Sequence, residues 1–238
     1  MSGDLRLVSL AHGLLLGLLL AAPALSPTIL PHATMALFLF GGFQLRLADR
    51  RFTLRGAASW ISHIRMTPRR LLPWGAAALG ALMSGHEGRA AAILLAALAG
   101  EALLYPLSVN AMARWTRTRV TTALMLLIPL SAVVPVEAVA FAAAFLTGVA
   151  TCLFWLRGPD GEARAFVTAI CILTLAGIAT CLEPALLQWM TPLATVSALL
   201  ALAHLSVLRR RPVPWRQPDG GSGSFLRRPL WQHPLRQP

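Results

Sequence analysis

LLPWGAAALGALMSGHEGRAAAILLAALAGEALLYPLSV, residues 71–109, carries only three charged side chains, Glu87, Arg89 and Glu101. Crossing the hydrocarbon core of a bilayer takes about 20 apolar residues in a helix, so a low-charge run of this length is too long for one crossing. Its middle holds Gly85-His86-Glu87-Gly88-Arg89, a cluster of turn-forming and charged residues that interrupts the apolar pattern. The stretch therefore reads as two helices folded back on each other.

The same reading extends outward. Three further low-charge blocks cover 5–45, 120–156 and 165–208, and each is broken near its middle: between Pro23 and Pro31, at Pro135-Val136-Glu137, and at Glu183-Pro184. Of the 238 residues 56% are hydrophobic and 13% charged, and the apolar residues lie in long runs rather than in the 3.6-residue stripe of a water-facing helix. The expected fold is an all-α, polytopic transmembrane bundle of about eight helices arranged as four hairpins. Two segments are marginal as spans: 71–84 is short, and 120–134 contains Pro129.

Charge fixes the expected orientation. All 21 basic residues are arginine, and all but Arg89 lie at the ends of the blocks or between them, in 46–70, 114–119, 157–164, the tail from Arg209, and at Arg6. Arginine-rich loops stay cytoplasmic. Two helices per block return the chain to the same face each time, which keeps 20 arginines inside; an odd number of crossings in any block would carry a later cluster across. The reading is a multi-pass protein of the bacterial cell inner membrane with both termini cytoplasmic. Residues 1–24 also admit a signal peptide, with an apolar core at 7–20 and Ala22-Pro23-Ala24 as a cleavage-like site, although Arg6 offset by Asp4 is a weak positive start.

Residues 1–208 form the expected bundle. Within them, 52–66 places Ala57, Trp60, Ile61 and Ile64 at helical spacing with Arg55, Ser59, His63 and Arg65 around the rest of the axis. This pattern predicts an amphipathic helix on the cytoplasmic leaflet, drawn to anionic lipid headgroups. The tail 209–238 carries seven arginines, six prolines and the run Gly220-Gly221-Ser222-Gly223-Ser224, a composition that builds no core. Net charge is +12, but arginines flanking apolar helices account for it, so nucleic acid is not an expected partner. Small residues recur every four positions at Ala76, Gly80 and Ser84, at Ala92, Ala96 and Gly100, at Ala140, Ala144, Gly148 and Cys152, and at Gly177 and Cys181. Such stripes let helices approach closely, within a bundle or against a membrane-protein partner or second copy. The three cysteines sit inside apolar runs without metal-ligand spacing.

Glu101 is the residue most suggestive of function. It falls near the centre of 90–109, where an ionised carboxylate is costly and is usually kept for a purpose. Tyr105 and Ser108 follow at four and seven residues and share its helix face, and Pro106 and Asn110 disturb the backbone toward the cytoplasmic end. Glu101, Tyr105, Ser108 and Asn110 form the candidate substrate or ion path. The alternative is a neutral glutamic acid that merely bonds a neighbouring helix. His12 and His204, and His32, His86 and Glu87, are weaker pairings for haem or metal, and no cofactor or metal is expected. Glu87, Glu137 and Glu183 recur at hairpin turns, where a glutamate at a helix N-terminus is favoured by the macrodipole.

The chain holds no Walker-type loop, no Gly-x-Ser-x-Gly, no His-Glu-x-x-His and no paired aspartates for diphosphate chemistry. Whether it is an enzyme stays open. Transport of a small molecule or ion is the first functional reading, a structural or assembly subunit of a membrane complex the second, and a lipid-active enzyme the third.

Overall fold

A computed structural model describes residues 6–25, 29–49, 57–158 and 162–208. The whole basic tail 209–238 lies outside these, as do residues 50–56, which include the first five residues of the amphipathic helix expected over 52–66. All regular structure among the described residues is helical: α1 (Arg6–Leu25), α2 (Ile29–Ala48), α3 (Ala57–Arg70), α4 (Leu72–Met83), α5 (Glu87–Met112), α6 (Arg117–Val133), α7 (Glu137–Leu156), α8 (Ala163–Leu182) and α9 (Leu187–Leu208). Four segments, α5, α7, α8 and Pro184–Val207 at α9, are long and apolar enough to cross a membrane. At 12 residues α4 rises only about 18 Å, and the 17 residues of α6 about 26 Å.

Consecutive helices pack as the expected hairpins: α1 with α2, α4 with α5, α6 with α7, α8 with α9. Local chemistry makes each turn. After α4, Gly85 takes φ +75°, a conformation that a Cβ would disfavour. The Gly85 N–H bonds the Leu82 carbonyl at 2.9 Å and the His86 N–H bonds the Ala81 carbonyl at 3.0 Å, which satisfies the ends of α4 as a Schellman cap. Glu87 and Glu137 stand in the first turns of α5 and α7, and the Glu183 side chain accepts from the Ala185 N–H before α9.

The four turns gather at one end of the bundle. Arg89 donates to Glu137 Oε1 from Nη2 at 2.8 Å and Nε at 3.1 Å, tying the second turn to the third. Gln188 Nε2 donates to the Ala132 carbonyl at 2.6 Å, and the Thr191 hydroxyl lies 3.1 Å from His32 Nδ1, joining the fourth turn to the third and first. At the opposite end stand Arg46, Arg70, Arg117 and Arg157. There Arg157 Nη2 caps the end of α5 through the Met112 carbonyl at 2.6 Å.

The core is built on α7, which touches α2, α5, α6 and α9. Its stripe Ala140, Ala144, Gly148 and Cys152 is buried. A Cβ added at Gly148 would strike the Leu39 carbonyl oxygen and lie 2.9 Å from Phe43 N; one added at Gly42 would strike the Phe145 carbonyl oxygen. The backbones of α2 and α7 thus touch through reciprocal glycines. Phe38 stacks on Phe141 and Gly42 meets Phe145, so residue numbers climb together and the helices run parallel. Between this parallel pair the chain forms the helices α4, α5 and α6. By contrast, Gly177 on α8 faces open space and Cys181 is exposed, because α8 lies on the rim against α9.

Candidate functional site

The site begins with proline chemistry in α5. Pro106 has no N–H and its ring crowds the carbonyl four residues earlier, so an unbroken α-helix is disfavoured there. Residues Gly100–Leu104 widen into a π turn, and the Tyr105 N–H bonds the Gly100 carbonyl, five residues back. The Glu101 carbonyl then has no helical partner: the N–H four ahead is taken, and the residue five ahead is proline. Inside a bundle such an orphan carbonyl needs a donor from elsewhere.

His63 supplies it. Its Nε2 lies 2.8 Å from the Glu101 carbonyl oxygen, brought there by α3, which crosses the π turn. The helix turns His63 and Thr67 inward, where both are buried, and leaves Ile61 and Ile64 exposed. Of the helix expected over 52–66, residues 57–66 are helical and 52–56 lie outside the described residues; the observed helix runs on to Arg70 and joins α4 through Leu71, whose N–H bonds the Thr67 carbonyl at 3.0 Å. Its polar face is the one that docks.

The hydrogen bonds define the state of the imidazole. Nε2 faces a carbonyl, so it carries the proton; Nδ1 faces the Arg70 guanidinium at 2.9 Å, so it accepts. His63 is neutral with one donor and one acceptor used. Burial holds its pKa below the ordinary value; the Glu101 carbonyl works against this, Arg70 adds to it, and Asp49, 3.9 Å from Nδ1, opposes it. The ring also stacks on Tyr105, with centroids 5.3 Å apart and planes inclined by 19°.

Arg70 reaches the Glu101 side chain as well, with Nη1 3.7 Å from Oε2. The carboxyl group is 4% exposed and Oε2 makes no hydrogen bond among the described residues, although the Trp74 indole lies beside it. The Tyr105 phenol oxygen is likewise buried without a hydrogen bond of good geometry, with Asp49 and Arg46 as charged neighbours. Arg46 in turn donates to the Asp49 carbonyl at 3.1 Å and closes the end of α2. Three elements therefore converge: the end of α2 with Arg46 and Asp49, α3 with His63 and Arg70, and the π turn of α5 with Glu101 and Tyr105. Two arginines face two carboxyl groups across a neutral imidazole, an arrangement that can hold a proton on Glu101 or leave it ionised against Arg70.

Of the residues singled out from sequence, Glu101 and Tyr105 lie in this cluster. Ser108 is buried one turn on, where its hydroxyl donates to the Tyr105 carbonyl at 2.9 Å. Asn110 is exposed near the end of α5 and touches none of them by hydrogen bond. Arg46, Asp49, His63 and Arg70 were not foreseen as site residues. The available signal was the spacing of His63, Thr67 and Arg70 along one helix face, and the position of Pro106 five residues after Glu101. Among the described residues no three of His, Cys, Asp and Glu converge on a metal position. Comparison with protein-family models, curated proteins and solved structures finds no match for this chain.

Proposed function

We propose that this protein is a multi-pass membrane carrier or permease component in which Glu101 exchanges a proton or binds a cation in step with movement of α3. All eight helices other than α3 cross the membrane in this reading. The turns face outward and the arginine-rich end, with both chain termini, faces the cytoplasm of a bacterial inner membrane. The observation that carries the proposal is the Glu101 carboxyl group: buried, on a π turn, with Oε2 making no hydrogen bond among the described residues, Arg70 3.7 Å away and Asp49 as a further charged neighbour. A merely structural glutamic acid in a bundle is expected to spend both oxygens on hydrogen bonds. Protonation of Glu101 would cancel its pairing with Arg70 and loosen α3, whose other anchor is the His63 bond to the same residue; α3 would thus gate the cytoplasmic end.

The test uses the full chain in proteoliposomes with an imposed pH gradient and a pH-sensitive dye trapped inside. Wild type should dissipate the gradient and Glu101→Gln should not, with both proteins folded to the same thermal stability. A Gln variant with the wild-type rate would overturn the proposal.

One observation favours a second reading, a subunit of a membrane assembly. The window of α8 that would cross the membrane is only 11% buried, and it exposes Leu175, Ile178 and Leu182. Stable co-purification of a second membrane protein, lost when this face is made bulky, would support it.

A further inference from the structure

Away from the Glu101 cluster, α6, α7, α8 and α9 enclose a cleft of about 340 Å³. Arg117 stands at its mouth, and the walls run inward through Thr121, Leu124 and Ile128 on α6, with Trp155 from α7, Ala169 from α8 and Leu193 from α9. No acidic residue lines it. From Arg117 to Ile128 α6 rises about 16 Å, roughly half the ~30 Å hydrocarbon core. The cleft thus begins at the arginine-rich end and follows the helices through about one leaflet, the path and depth of an acyl chain.

The mouth is built for negative charge. The Arg117 guanidinium lies over the Phe154 ring, 4.7 Å from its centroid, and makes no hydrogen bond among the described residues, so its donors are available. It is the first residue of α6, where free backbone N–H groups and the helix dipole also favour an anion. Next to Phe154 in the chain, Trp155 is buried and lines the cleft. A compact soluble ligand would leave the long apolar walls unfilled; a zwitterionic lipid would gain less from the arginine.

We infer that this cleft is a specific site for an anionic phospholipid of the cytoplasmic leaflet, with one acyl chain between α6, α8 and α9 and the phosphate at Arg117. The inference does not depend on the role assigned to Glu101. To test it, the full chain is reconstituted in phosphatidylcholine nanodiscs doped with either brominated-chain phosphatidylglycerol or brominated-chain phosphatidylcholine. Quenching of tryptophan emission is then compared between wild type and Trp155→Phe, so that the difference isolates Trp155. The Trp155 signal should be quenched by phosphatidylglycerol at about a five-fold lower lipid fraction than by phosphatidylcholine, the preference expected of one interfacial arginine. Arg117→Gln, at an exposed position, should erase that preference, and Ala169→Phe should block quenching by both lipids. Equal titrations for the two lipids in wild type, which is the behaviour of ordinary boundary lipid, would overturn the inference. A preference that survives Arg117→Gln would overturn it too, and that comparison decides the matter even where Ala169→Phe fails to fold.

Discussion

The contact between α2 and α7 offers the sharpest test of the fold, through Gly148→Ala. The new methyl group would strike the Leu39 carbonyl oxygen and lie 2.9 Å from both Leu39 C and Phe43 N. These neighbours are backbone atoms, which cannot turn aside as a flexible side chain does. The helices must separate by a large fraction of an ångström, and because α7 is also packed on α5, α6 and α9, separation spreads through the core. Overpacking of a tight interior costs about 1–3 kcal/mol, and a backbone clash belongs at the upper end of that range. Gly177→Ala is the control: it makes the same chemical change in α8, where an added Cβ meets nothing within 4 Å. The assay is reversible unfolding of the purified protein in mixed micelles as denaturing detergent is increased. Gly148→Ala should lower stability by about 2–3 kcal/mol, Gly177→Ala should be silent or slightly stabilising, and Gly42→Ala combined with Gly148→Ala should cost less than the sum, since both strain one interface. Equal stability of the two single variants would refute the reciprocal-glycine contact and with it the parallel register of α2 and α7.

Arg70→Ala should destabilise the protein by somewhat less than the ~3–5 kcal/mol of breaking a fully buried pair, because a quarter of the Arg70 side chain is exposed; adding Glu101→Gln should recover part of the loss, as thermal unfolding in detergent would show. Arg89→Ala removes an ion pair whose Glu137 side chain is 41% exposed, so less than about 1 kcal/mol is expected, diminishing further in high salt. Pro106→Ala restores an N–H five residues after Glu101 that can satisfy its carbonyl within α5; a thiol-reactive probe at Ser62→Cys should then report a more accessible α3.

Much of this architecture is legible in the chain because lipid leaves few alternatives: every backbone polar group must be satisfied within a helix, and long apolar runs have to cross or fold back. Gly85 and Pro135 mark turns without ambiguity, and arginine placement orders the blocks. The site was only half visible for an equally physical reason. Glu101 announces itself by being charged in an apolar run, whereas His63 and Arg70 sit among other arginines in 46–70, where a positive-inside anchor explains them equally well. Their role depends on a carbonyl freed by Pro106 in another helix, a relation between segments that no periodicity within one of them encodes. Likewise, the stripes at Gly148 and Gly177 look alike in sequence, but only the first meets the backbone of a neighbouring helix.

Docking of α3 should depend on pH, and the sign follows from His63. The docked imidazole uses Nε2–H as a donor and Nδ1 as an acceptor from Arg70, so protonating Nδ1 would set two cations against each other at 2.9 Å. Burial, the largest influence, lowers the docked pKa in the same direction. When α3 lifts off, His63 meets water and returns to an ordinary value of about 6.5. The undocked state therefore binds the proton more tightly. Docking is at full strength above about pH 6.5 and weakens as pH falls through that value toward the lowered docked one. Tyr105, Asp49, Arg46 and Glu101 also face this pocket, so the variant must isolate the imidazole. His63→Gln does so, because its amide N–H can still donate to the Glu101 carbonyl but does not titrate between pH 5 and 8. With the three native cysteines replaced by alanine and a spin label at Ser62→Cys, an exposed position on α3, and with Glu101→Gln in both backgrounds to remove the other protonation that loosens α3, label mobility should rise on acidification in the His63 protein and stay flat in His63→Gln. Matching pH profiles in the two proteins would place the sensing group elsewhere in the cluster and remove His63 from the account.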